Sequence, residues 1–263
     1  MNLSELLPFL EKINARPNRR FSQNFLIDSN IVQKIVHMAD IRPGDKVLEI
    51  GPGPGALTRA LLAQGAHVLA IEIDTAFATA LRDLDEDRLT VFEADFLSFP
   101  MHQIPKDIKV VANLPYHITT PILDKLFHHP FVSITVMVQK EVADRMTASA
   151  GSKQFGALTL FVQFYTKLIQ HFLVPASCFY PRPQVNSTVI RLDAQEPPSI
   201  EAAQFFPWIK KSFQQRRKML STSLGLAKDT IRNALATIGV REDARPESLS
   251  FAQWVSLAKL LNA

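Results

Sequence analysis

Cysteine, glycine and long apolar runs are all scarce in this chain. One cysteine among 263 residues, Cys178, rules out an internal disulfide and a multi-cysteine zinc site, and points to a reducing cytoplasm. No apolar stretch approaches the roughly 20 residues that a membrane-spanning helix needs, so no membrane association is expected. The first twenty residues lack the basic, apolar, small-residue order of a secretory signal. Nine glycines are about half the usual share of ~7%, yet three of them fall between Gly51 and Gly55. No Cys, His or carboxylate set has metal-ligand spacing, so no metal is expected. With 47% hydrophobic and 21% charged residues, the chain is too apolar to be disordered and long enough to bury a large core.

The net charge of +4 is mild, but it is unevenly spread. Residues 201–263 carry ten Lys and Arg against five Asp and Glu, whereas residues 1–200 carry nineteen against twenty. The excess positive charge therefore belongs to the last quarter, with a smaller cluster at Arg16, Arg19 and Arg20. Basic segments around a near-neutral body suggest a polyanionic partner.

From about residue 45, short Val- and Ile-rich runs alternate with helical patterns. The runs 46–50, 67–73, 89–93, 108–112 and 132–138 read as buried strands, and 57–64 and 75–84 as helices between them. The runs 167–174 and 185–192 follow too closely for another crossover helix and read as an antiparallel pair closing a sheet edge. Beyond the polar, proline-containing stretch 193–200 the pattern turns helical, with Gly225 and Gly239 as C-caps. The expectation is an α/β fold with a mainly parallel sheet, followed by a small all-α C-terminal domain. Its boundaries are an N-terminal arm over 1–20, the sheet domain over 21–195 and the helical domain over 196–263.

The stretch from Val47 to Thr58 is a strand, a glycine turn and a helix start, an arrangement that lets a ligand approach backbone at a helix N-terminus. A P-loop would need Gly-Lys-Ser/Thr, and here Ala56 and Leu57 follow Gly55; a dinucleotide fingerprint would need its third glycine one residue later. Polar residues recur at the ends of successive strands, namely Glu49, Glu72, Asp95 and Asn113. In an open parallel sheet such ends face one crevice. A carboxylate for ribose hydroxyls beside a glycine turn without a phosphate-binding lysine suits a nucleoside lacking phosphates, and S-adenosylmethionine fits.

Asn113-Leu114-Pro115-Tyr116 ends the fourth strand beside that cofactor. The Asn113 amide oxygen and a main-chain carbonyl near Leu114 can accept both hydrogens of an exocyclic amine, and Tyr116 offers a stacking face, worth ~1–3 kcal/mol per base. Such acceptors draw the nitrogen lone pair out of conjugation and orient it for in-line methyl transfer. No strong base is needed, because the methylated amine becomes acidic, so His117 reads as a polar loop residue.

Eight stretches together resemble the bacterial small-subunit (16S) rRNA adenine N6,N6-dimethyltransferase family, whose fold is the Rossmann-like class I S-adenosylmethionine-dependent methyltransferase sheet with a helical C-terminal domain. They are Phe21-Ser-Gln-Asn-Phe-Leu-Ile-Asp28, Glu49-Ile-Gly-Pro-Gly-Pro-Gly-Ala-Leu-Thr58, Ala70-Ile-Glu-Ile-Asp74, Ala94-Asp95-Phe96, Asn113 to Ile122, Met137 to Arg145, Phe179 to Ser187, and Arg216-Arg217-Lys218. The resemblance implies cofactor contacts from Asn24, Leu26, Gly51, Glu72, Asp95 and Asn113. It places the target adenine against Asn113, Leu114 and Tyr116, with Phe179 on its other face, and gives Arg216, Arg217 and Lys218 to RNA. It further implies a monomer that dimethylates two adjacent adenines of 16S rRNA within an assembling 30S subunit. Ser221 and Thr222 stand where relatives carry Arg-Asn, and Arg182 interrupts a usual proline run. The macrolide-resistance 23S rRNA methyltransferases share this chemistry, but Thr119-Thr120-Pro121 and Gln139-Lys140-Glu141-Val142 favour the small-subunit branch. Intact Glu72, Asp95 and Asn113 argue against a non-catalytic binding factor of the same fold.

Overall fold

The computed structural model describes residues 1–18, 23–84 and 86–262. Arg19 and Arg20 of the N-terminal basic cluster, and Phe21 and Ser22 of the first family stretch, lie outside the described residues. The chain forms two compact units, one of residues 1–143 and 168–194, the other of 144–167 and 195–263.

The first unit is built on a sheet of β2 (Lys46–Ile50), β3 (His67–Glu72), β4 (Leu89–Glu93), β5 (Ile108–Asn113), β6 (Phe131–Gln139), β7 (Thr166–Val174) and β9 (Ser187–Ala194), in the order β4-β3-β2-β5-β6-β9-β7. Strands β4 to β6 in that order run parallel, and β9 joins β6 antiparallel. The two late apolar runs thus close one edge, with β7 outermost. The apolar runs read as strands because both faces are covered. Val47, Val68, Val111, Met137 and Val189 pack with α2 (Ser29–Met38) and α3 (Ala56–Ala63), while the alternate residues Leu48, Ile71, Val110 and Val136 are equally buried. Helix α4 (Thr75–Arg82) links β3 to β4, α5 (Thr119–Phe127) links β5 to β6, and α6 (Lys140–Met146) follows β6.

Chain order reverses between β2 and β5: β2 leads outward to β3 and β4 on one side, β5 to β6 on the other. Such a switch point opens a crevice at the carboxyl ends of the strands, because the connecting segments leave in opposite directions.

The expected arm over 1–20 contains a helix. In α1 (Leu3–Lys12) the Asn2 side chain accepts from Glu5 N–H while the Glu5 carboxylate accepts from Asn2 N–H, a reciprocal cap. Leu6 and Leu10 bury against Phe25 and Phe77, whose rings meet edge to face at 5.2 Å. The two-residue strand β1 (Phe25–Leu26) pairs antiparallel with β8 (Phe179–Tyr180).

The second unit contains α7 (Ala157–Tyr165), α8 (Ala202–Gln214), α9 (Leu220–Ser223), α10 (Lys228–Thr237) and α11 (Phe251–Asn262), packed around Phe164, Phe205, Leu235 and a fully buried Trp254. Gly225 and Gly239 follow α9 and α10 at φ +65° and +68°, the left-handed geometry of a helix C-cap. The boundary expected at 195 misses one contribution: residues 144–167 belong with the helical unit. The aromatic residues of α7 explain this, since Phe164 packs on Phe205 at 5.2 Å between ring centroids.

Candidate active site

A cavity of about 600 Å³ opens at the switch point, lined by residues from the carboxyl ends of β2, β3 and β5, the segment after β4, and the N-terminal region. Asn24, Leu26, Gly51, Glu72, Asp95, Asn113, Leu114 and Tyr116 all line it. Of the residues expected at the reacting centre, Phe179 alone is not among the lining. Its main chain pairs with Leu26, and its ring is 3% exposed within the hydrophobic cluster of α2 and α3.

The glycine turn between β2 and α3 carries φ values of +65°, +53° and +81° at Gly51, Gly53 and Gly55. Side-chain-bearing residues seldom adopt these angles. At Gly53 an added Cβ would also come within 3.2 Å of the Phe25 ring, and at Gly55 within 2.8 Å of Leu81 Cδ2. The turn leaves a bare backbone wall on the cavity.

Glu72 braces that wall. One carboxylate oxygen accepts the Gly53 N–H at 2.8 Å and the other the Asp74 N–H at 2.9 Å. A carboxylate offers about four acceptor positions, so these two bonds leave acceptor capacity for a ligand. Burial holds the Glu72 carboxyl above its ordinary pKa, against these two hydrogen bonds. Glu49 is more deeply placed, 1% exposed, with Oε2 buried and without a hydrogen-bond partner. Burial pushes its carboxyl up to about 8; the Glu72 charge adds to this, and Thr58 at the start of α3 only partly offsets it.

Asn113 ends β5 and donates from Nδ2 to the main-chain oxygen of Asn24 at 3.1 Å. That bond fixes the amide orientation and assigns the acceptor oxygen to its other side. Leu114 N–H is taken by Met137 O at 3.1 Å, which anchors the turn to β6. Tyr116 shares a 2.6 Å hydrogen bond with Ser187 Oγ, holding its ring in place, and burial raises its hydroxyl pKa against that bond. Asp95 starts the segment after β4, its Oδ1 accepting Leu97 N–H at 2.9 Å.

Sequence spacing did not single out Met1, Leu6, Asn18 and Gln23, which line the cavity from the N-terminal side. The Asn2–Glu5 cap before an amphipathic run was the available signal for α1. Gln23 donates to Asp74 at 3.3 Å and accepts from Asn18 N–H at 2.8 Å, tying that segment to the end of β3. His117 lines the cavity too. Cys178 is buried, and its thiol faces Asp28 Oδ2 at 3.6 Å. Arg182 is exposed.

In the helical unit, Arg217 and Lys218 are exposed. Arg216 is half-buried: it donates to Ser152 O at 3.2 Å and stands 3.8 Å from Glu247, an ion pair too long for a hydrogen bond.

Residues 14–263 match the family described as ribosomal RNA adenine dimethylase. The ribosomal RNA small subunit methyltransferase A of Protochlamydia amoebophila is 45% identical over 97% of this chain and 94% of its own length. That of Chlamydia caviae is 42% identical over 98% and 97%. Among solved structures, a dimethyladenosine transferase from Plasmodium falciparum superposes with a TM-score of 0.77 at 26% identity, covering 88% of this chain and 94% of its own. The 23S rRNA methyltransferase ErmE gives 0.73 at 28% identity, covering 91% and 100%.

Proposed function

Since the chain belongs to the ribosomal RNA adenine dimethylase family and has the class I methyltransferase fold, we propose that it dimethylates N6 of two adjacent adenines near the 3′ end of 16S rRNA. In this reading it works as a cytoplasmic monomer on the assembling 30S subunit, with S-adenosylmethionine as methyl donor. The observation that carries the reading is the convergence of a glycine wall, two buried carboxyl groups and the Asn113–Tyr116 turn on one cavity.

The cavity fits that donor. It has room for a nucleoside, its carboxyl groups suit ribose hydroxyls, and the buried Glu49 oxygen without a hydrogen-bond partner marks a polar demand that a ligand can meet. Bound there, S-adenosylmethionine supplies an electrophilic methyl group. Glu72 would accept from its ribose and Asp95 from its adenine amine, and Gly51, Asn24 and Leu26, which line the cavity, would bound it.

Asn113 Oδ1 and the Leu114 carbonyl accept the two hydrogens of the target amine and point its lone pair at the methyl. The hydroxyl of Tyr116 is committed to Ser187, so the ring face is what meets the base. His117 needs no proton-transfer role, because the methylated amine loses its proton unaided. Phe179 has no place in this assignment while its ring stays in the core. Arg217 and Lys218 hold RNA phosphates, with Arg216 bracing the unit behind them.

Incubation with labelled S-adenosylmethionine and small subunits from a strain lacking the modification tests this. N6,N6-dimethyladenosine is expected in small-subunit RNA. Label confined to large-subunit RNA, or no transfer, contradicts the proposal.

A further inference from the structure

Lys125 lies on α5, the helix that begins three residues after Tyr116, and it reaches back to the cofactor side of the cavity. Its Nζ donates to the main-chain oxygens of Phe96 at 2.7 Å, Leu97 at 2.8 Å and Phe99 at 2.5 Å. An ammonium has three donors and no acceptor, so its whole capacity is spent on the loop that Asp95 opens. The same ammonium sits 5.2 Å from the centre of the Phe96 ring. Within the loop, the Asp95 carboxylate takes Leu97 N–H and the Asp95 carbonyl takes the Ser98 hydroxyl. Phe96 and Leu97 line the cavity beside Asp95. Burial lowers the Lys125 pKa, and the Asp95 charge opposes that shift.

A solvated lysine would gain little from this arrangement. Three carbonyls converging on one half-buried ammonium instead fix the path of a short loop whose first residue must meet a base edge. We propose that Lys125 is a positioning residue that sets the adenine selectivity of the cofactor site, holding Asp95 in line with the 6-amino group and tying that geometry to the helix behind the target-base turn. This rests on the reading of Asp95 as the acceptor for the cofactor's adenine amine.

The test is calorimetric binding of S-adenosylhomocysteine and S-inosylhomocysteine, whose base carries a carbonyl where adenine has its amine. The unaltered protein is expected to prefer the adenine form by a factor on the order of 10². Lys125→Met should narrow that ratio about tenfold. Lys125→Arg keeps the charge, but its planar fork cannot place three donors on three converging oxygens, so it should narrow the ratio as well; it also decides the matter if Lys125→Met fails to fold. A selective parent with variants that keep the full ratio, even at weaker overall affinity, overturns the role of Lys125. A parent that does not discriminate overturns the Asp95 reading, and this inference with it.

Discussion

Glu49 and Glu72 stand near the ends of adjacent strands on the cavity wall, both buried and both with carboxyl groups raised above their ordinary pKa. The consequence for stability has a definite sign. Folded, Glu49 keeps its proton up to about pH 8, whereas the unfolded chain releases it near 4.5. Between those values the native state binds more protons than the unfolded one, so stability falls as pH rises. Glu49→Gln removes that dependence without changing shape. Its melting temperature should match the parent near pH 4.5 and exceed it increasingly toward pH 8; parallel melting curves across that range would contradict the burial argument. At this scale the sequence was informative about identity and silent about state. Glu49, Glu72, Asp95 and Asn113 were legible from their recurrence at strand ends. The Asn113–Asn24 and Tyr116–Ser187 bonds, linking residues 89 and 71 positions apart, depend on tertiary approach that no local pattern encodes. Phe179, which the family resemblance alone assigned to the target base, does not line the cavity: its main chain pairs with Leu26 and its side chain is buried.

At the scale of elements, the parallel strands were legible because burial on both faces selects continuous Val and Ile runs. Each of the five expected parallel runs matches an observed strand to within a residue at either end, whereas the antiparallel run expected over 185–192 lies two residues later, at Ser187–Ala194. The β1–β8 pair was not, since two residues carry no periodicity. The glycine turn was legible in composition, and the structure supplies its reason in the three positive φ angles. Gly55 is the strictest of them, combining φ +81° with a blocked Cβ position against Leu81. Gly55→Ala is expected to destabilise the first unit by about 1–3 kcal/mol, measured by thermal or denaturant unfolding. An unchanged midpoint would mean that Leu81 and the turn relax without strain.

Over the whole molecule, the charge asymmetry seen along the sequence maps onto the two units unevenly. The helical unit holds most of the excess cations, but they are not equivalent. Arg217 and Lys218 face solvent, whereas Arg216 is occupied by Ser152 and Glu247. Replacing Arg217 and Lys218 with Ala should reduce the salt dependence of RNA binding by roughly 0.7–0.9 of a log–log unit for each phosphate left without its cation. Arg216→Ala should leave that slope nearly unchanged. Equal effects from all three would show that Arg216 leaves its brace to meet RNA. The helical unit's claim on residues 144–167 was hidden from the sequence because α7 lies between β6 and β7 in the chain, and its packing on Phe205 depends on a tertiary contact that no local pattern encodes.

In the proposed function, catalysis at the switch point depends on Asn113 presenting the target amine to the donor within the cavity. The most direct measurement is the single-turnover rate of methyl transfer to small-subunit RNA by Asn113→Ala at saturating S-adenosylmethionine. Losing an acceptor that acts on the reacting nitrogen should slow transfer by about 10²-fold or more, even with donor and RNA both bound. A rate within a few-fold of the parent would contradict that role for Asn113.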